Sequence, residues 1–166
     1  ARGFLDAQAQ QLTTRATTAT KLFQRLLVSL SVLLGFSLET WDVSGAFLKG
    51  FPFPEVASHL RRKGYAAPDR HVYLQPPANV WRHLREIPGG IVLPSHMTWM
   101  FCLELLKPVY GLNDAPLAWQ LVLANYLVNR RGAIQSSFDD CFYFWPSSTA
   151  GKIDGLTTTH VDDNGI

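Results

Sequence analysis

Cysteine is scarce in this chain: Cys102 and Cys141 are the only two, and their spacing matches no paired motif. That excludes a disulfide framework and a zinc knuckle, and makes a reducing compartment the simplest setting. Long apolar runs are lacking as well. The most apolar stretch, Leu26 to Phe36, is broken by Ser29, Ser31 and Gly35 and falls short of the roughly 18 residues that a membrane span needs. No cationic start leads into an apolar block and a small-residue cleavage site, so secretion is not expected. Charge of one sign does not dominate either. A net charge of +2 and a pI near 8.7 permit an acidic polymer as partner without the dense basicity of a dedicated nucleic-acid arm. The five histidines lack ligand-like spacing, and neither a Gly-Lys-Ser phosphate loop nor a Gly-x-Ser-x-Gly turn occurs. Internal repeats and low-complexity segments are absent.

What is present is enough apolar residue for a core, 47% of 166 positions, and a length that suits one domain. The first 20 residues read as a loop or weak strand. From Lys21, Leu22, Leu26, Leu30, Leu33 and Leu34 follow helical spacing up to Gly35, which predicts a buried core helix. Leu38 to Val43 fits a short strand, and Ser44 to Gly50 turns out of it before Pro52 and Pro54. Residues 55 to 70 suggest a short basic helix ending at Gly64. His71 to Gln75 is a strand candidate, the stretch from Pro76 to Pro94 is loop-like, and Thr98 to Leu106 reads as a buried strand. A strong helix signal follows, with Pro116 near its first turn, an apolar face of Leu117, Leu121, Ala124 and Val128, and a close at Arg130, Arg131 and Gly132. Cys141 to Trp145 and Leu156 to Val161 read as strands around a turn. The irregular alternation predicts an α+β fold rather than a doubly wound sheet.

Two adjacent Asp pairs occur, Asp139-Asp140 and Asp162-Asp163. The second stands at the end of a β-branched strand and before Asn164-Gly165, a dipeptide favoured in tight turns. Two carboxylates aimed together into a cleft repel unless a cation lies between them. A third, Asp42, ends another predicted strand and precedes Ser44, Gly45 and Ala46, small residues that leave backbone N–H groups open to a phosphate. Three carboxylates with such amides suit two Mg²⁺ ions and an in-line phosphoryl transfer, while surface carboxylates in turns remain the plain alternative.

The flanks of these carboxylates carry a resemblance. Asp42-Val43-Ser44-Gly45-Ala46-Phe47-Leu48-Lys49-Gly50 resembles the Asp-Val-x-x-Ala-Phe-Leu-x-Gly motif of copia-type retrotransposon reverse transcriptases. Val72 to Pro77, Tyr110-Gly111-Leu112-Asn113-Asp114-Ala115-Pro116-Leu117-Ala118-Trp119, Ser136 to Asp139 and His160-Val161-Asp162-Asp163 follow in the family's order. The resemblance covers residues 22 to 163, and the Tyr-Gly-Leu block is its most specific part. It implies a palm-type antiparallel sheet packed on helices, with partial fingers, in a single incomplete domain over residues 1–166 that lacks thumb and RNase H and is cut at both ends. It implies an RNA-directed DNA polymerase, a nucleotidyltransferase segment of a polyprotein. Asp42, Asp162 and Asp163 would be catalytic and would hold two Mg²⁺ ions, with Mn²⁺ as substitute. Val43, Ser44, Gly45, Ala46, Phe47 and Gly111 would line the substrate, Phe47 as the gate against a ribose 2′-OH and Gly111 as the point of close backbone approach. From sequence alone a core Phe and a simple turn glycine fit as well. Asp139 resembles a family position outside the catalytic centre. The implied partners are an RNA or DNA template with primer, deoxynucleoside triphosphates and the rest of the polyprotein, with no membrane. The implied setting is intracellular, cytoplasmic in a virus-like particle or nuclear.

Four departures stand out: His160 where the family commonly has Tyr, Asn113-Asp114 for Lys-Gln, Leu117 for Arg, and Asn164-Gly165 for an apolar strand start. The replacements of Lys and Arg remove positive charge where nucleic acid should lie. A catalytically inactive remnant serving as a nucleic-acid or protein binding module is therefore the second expectation, and an unrelated metal-dependent phosphohydrolase is a remote third.

Overall fold

The structure, a computed structural model, describes residue 8, residues 16–90 and residues 94–160, with the backbone alone for 95–97. It is a mixed α and β fold with small antiparallel sheets. Four α-helices are described: α1 (Lys21–Leu34), α2 (Phe53–Arg62), α3 (Ala78–Glu86) and α4 (Ala115–Asn125). The strands are β1 (Val72–Leu74), β2 (Leu103–Leu105), β3 (Ile134–Gln135), β4 (Phe142–Pro146) and β5 (Ile153–Thr158). β1 and β2 pair antiparallel, and β3, β4 and β5 form a second antiparallel sheet in that order.

α4 lies at the centre. It is apolar on nearly every side, and such a helix is stable in water only when enclosed. One side, with Ala115, Trp119 and Leu123, packs with Phe47, Leu127, Ala133 and Tyr143. The other side, with Leu117 and Ala118, meets Val56 of α2. Its continuation, Tyr126–Arg130, is a π-helical turn that ends before Gly132. The predicted face was thus half of the answer, because Trp119 and Leu123 on the opposite side are buried too. Tyr143, 1% exposed, carries a phenol pushed well above its ordinary range, first by burial.

The N-terminal segment is tied to this core by polar contacts. The Gln120 side-chain oxygen accepts from the Thr17 amide at 3.0 Å, and its nitrogen reaches Cys141 Sγ at 3.3 Å. The Asp139 carboxylate accepts from the Thr20 amide at 2.8 Å and the Cys141 amide at 2.9 Å. Asp139 therefore fixes the entry to α1, where the Thr20 hydroxyl caps Phe23.

Several expectations are corrected. α1 forms over the predicted span and ends at Gly35 in the left-handed conformation, φ 70°. It is no core helix: only Ser31 is buried, because one side alone has anything described to pack against. Leu38 to Val43 is irregular and not a strand. A strand needs a neighbour for its backbone groups, and the nearest open sheet edge, that of β5, stands across a cleft. The basic helix begins earlier than expected, at Phe53, since Pro54 falls in the first turn where its missing N–H costs nothing. The loop expected from Pro76 to Pro94 contains α3, whose sparse apolar residues conceal a helix anchored by buried Trp81. Thr98 to Leu106 yields only the three-residue β2, preceded by a 3-10 turn, and Trp99, Met100 and Leu106 are exposed. No helix among the described residues is long and apolar enough to cross a membrane.

The burial map predicts a sharp contrast in denaturant unfolding. Leu123→Ala, at 8% exposure, should cost about 2–5 kcal/mol. Leu33→Ala, at 78% exposure, should stay within about 0.5 kcal/mol of the parent. Equal losses would contradict the placement of the core on α4.

Candidate functional site

A cleft of about 1270 Å³ opens beside the core. One wall is the irregular segment from Gly35 into the turn at Ala46 and Phe47; the other is β5 with Thr159 and His160. Trp119, Leu123 and Leu127 form its floor, Tyr110 stands at its lip, and Leu27, Val28 and Ser31 of α1 close one end. β5 pairs with β4 along one edge, and no described strand pairs with its other edge, which faces the cleft.

The Asp42 segment reaches this wall for local reasons. Gly45 adopts φ 66°, a conformation that side chains resist, and turns the chain into a 3-10 helix over Ala46–Lys49. The Ala46 amide donates to the Val43 carbonyl at 3.1 Å and the Leu48 amide to the Gly45 carbonyl at 3.0 Å. Those two amides are consumed within the turn, so the expected open backbone around Ala46 is corrected to that extent. Phe47 points into the core at 8% exposure and also borders the cleft, its ring 5.0 Å from that of Tyr110. Gly50 closes the motif for a reason invisible in the sequence. A Cβ there would lie 3.0 Å from the Ala118 Cβ and 3.2 Å from the Ala118 backbone, so any larger residue would push the turn or α4 back by a few tenths of an ångström.

Of the residues singled out from sequence, Asp42, Val43, Ser44, Gly45, Ala46 and Phe47 all line this one cleft. Asp42 is exposed, on the irregular wall. Gly111 does not line it; it sits beside Tyr110 with φ 85°, the left-handed value that a glycine turn supplies. Asp162 and Asp163 lie outside the described residues, as do Val161, Asn164 and Gly165. Among the described residues no three His, Cys, Asp or Glu side chains come together as a metal site. Asp42 is the single member of the expected ligand set with a described position, so the described donors alone do not fit a two-ion centre.

A neighbouring contact went unread in the sequence. The Arg70 Nε donates to Asp114 Oδ2 at 2.9 Å, with the two side chains 4% and 6% exposed. Arg70 also donates to Gln8 Oε1 at 3.1 Å and lies over the Phe53 ring, 5.6 Å from its centroid. The pair ties the segment before β1 to the start of α4 and hence to the turn at Gly111. The carboxylate at position 114 is thus matched by a buried cation from 44 residues upstream. No sequence signal marks that pairing, since residues so far apart share no period or motif.

Breaking a buried pair leaves one charge uncompensated, at a cost of about 3–5 kcal/mol. Asp114→Ala should therefore lower stability to unfolding by about that amount, while the double variant Arg70→Met with Asp114→Leu should recover most of it. A small effect of Asp114→Ala, measured by urea unfolding, would show that the pair is not enclosed.

No family model, no curated protein and no solved structure matches this chain.

Proposed function

We propose that this chain is the fingers and palm segment of a copia-type RNA-directed DNA polymerase, extending a primer 3′-OH with deoxynucleoside triphosphates on an RNA or DNA template. One observation carries the reading. Residues of three separate motifs line one cleft: Asp42 to Phe47 on one wall, His160 on the other, and Tyr110 with Trp119 between them. Positions scattered over more than a hundred residues need not converge unless the motifs share a site.

In this reading Asp42, Asp162 and Asp163 hold divalent cations, Mg²⁺ or Mn²⁺, which neutralise triphosphate and leaving-group charge when bound. The chain's own contributions are positional. Phe47, held in the core between Tyr110 and Trp119, makes a rigid wall against a ribose 2′-OH. Gly111 bends the chain without a side chain, which admits close approach of a nucleotide to the backbone. The remaining polyprotein, the template–primer and an intracellular setting without a membrane belong to the same proposal.

A second reading, an inactive remnant that binds nucleic acid or protein, is favoured by the irregular wall. Asp42 stands on a segment that no described strand supports, and rigid support is what a catalytic carboxylate needs. The two readings separate in a titration of the chain with Mn²⁺. The polymerase reading expects saturable binding, weakened at least about tenfold, or about 1.4 kcal/mol, by Asp42→Asn and by Asp162→Asn. Template–primer binding that depends on salt but not on divalent ions, with both variants unchanged, would favour the remnant and count against the polymerase.

A further inference from the structure

Charge is spread unevenly over this chain. It has 15 Lys and Arg against 13 Asp and Glu, yet among the described residues that line the cleft there is neither Lys nor Arg. Three carboxylates line it instead: Glu39 and Asp42 on the irregular wall, and Asp154 on β5. All three are exposed, and no ion pair or side-chain hydrogen bond engages them.

The second open feature is main chain. The Thr159 amide donates to the Cys141 carbonyl, just before β4, at 2.8 Å. Backbone direction alternates along an antiparallel strand. Thr158 and Leu156 therefore turn their amides and carbonyls the other way, to the edge that faces the cleft. Thr159 itself, 5% exposed, lines the cleft with a hydroxyl that has no hydrogen-bond partner, whereas buried polar groups are ordinarily paired.

We propose that the cleft receives an extended segment of another protein, of alternating apolar and Lys or Arg residues, which adds a strand to the free edge of β5. This rests on the binding-module reading above and names the chemistry of its partner. Main-chain bonds to Leu156 and Thr158 hold the added strand, and its alternate side chains meet two different surfaces. Those turned to the floor meet Trp119, Leu123 and Leu127, which suits apolar residues. Those turned to the exposed side meet Glu39, Asp42 and Asp154, which suits cations. β5 spans 6 residues, so a partner strand of roughly 20 Å matches it. The same charges oppose the other occupants. Residues 161–166 of the chain bring Asp162 and Asp163 and no cation. A second copy paired edge to edge would gather both sets of carboxylates at one interface, and a nucleic acid without divalent ions would set phosphates against them.

The probe is a blocked hexapeptide of alternating Lys and Val, titrated into the whole chain without divalent ions. Tryptophan fluorescence follows it, since Trp41, Trp119 and Trp145 line the cleft. The expected result is saturable binding that weakens at least about tenfold when Glu replaces Lys in the peptide. The double variant Glu39→Gln with Asp154→Asn should weaken it as well, with an unchanged circular dichroism spectrum because both positions are exposed. N-methylation of the Val amides or of the Lys amides should abolish binding in one case and spare it in the other, because one set alone faces β5. No saturation, equal affinity for the Glu peptide, or indifference to both N-methylated forms overturns the proposal, and so does self-association that the peptide fails to reverse. Template–primer titrated in the same buffer keeps two failures apart: if it binds and the peptide does not, the binding-module reading stands and this inference falls.

Discussion

Everything described in this fold depends on enclosing α4. Its sequence, APLAWQLVLAN, offers water almost nothing on any side, so layers must form around it. Trp119 and Leu123 draw in Phe47 and Tyr143, and with them the Asp42 motif and the sheet; Leu117 and Ala118 draw in α2. The one polar side chain facing inward, Gln120, is spent on Thr17 and Cys141 and so orders the approach to α1. Burial of this kind is worth a few kcal/mol per large side chain, which makes α4 the element whose neighbours cannot be rearranged cheaply.

The cleft is a consequence of that arrangement. Phe47 is held from below by α4, and β5 is held from the side by β4, but nothing described bridges the space between Leu38–Val43 and the free edge of β5. The result is a site whose floor is packed into the core and whose carboxylate-bearing wall no described strand supports. Both proposed readings start from this asymmetry: the polymerase reading requires a supporting strand or substrate in the gap, and the remnant reading does not. The Arg70–Asp114 pair joins the segment before β1 to the start of α4, next to the turn at Gly111.

Much of this was legible where one residue's role depends on near neighbours. α1 announced itself by spacing and a glycine stop, α4 by its first-turn proline and closing Arg-Gly, and β4 by its aromatic run. What failed depended on distant partners. α1 looked like core because periodicity reports an apolar face but not whether anything covers it. Leu38 to Val43 looked like a strand because its composition suits one, whereas pairing decides. α3 escaped because Trp81 alone does the anchoring, and the close fit at Gly50 and the match of Arg70 to Asp114 arise from contacts across the fold.

Native-state hydrogen exchange tests the central claim most directly, because it compares a rigid α4 with an unpaired cleft wall in one measurement. Amides from Leu117 to Leu123 should exchange only through global unfolding. Those from Leu38 to Asp42, for which no backbone hydrogen bond is described, should exchange near the rate of an open chain. Protection of Leu38–Asp42 equal to that of α4 would mean that this segment is a paired strand and that the cleft is closed, contrary to the account given.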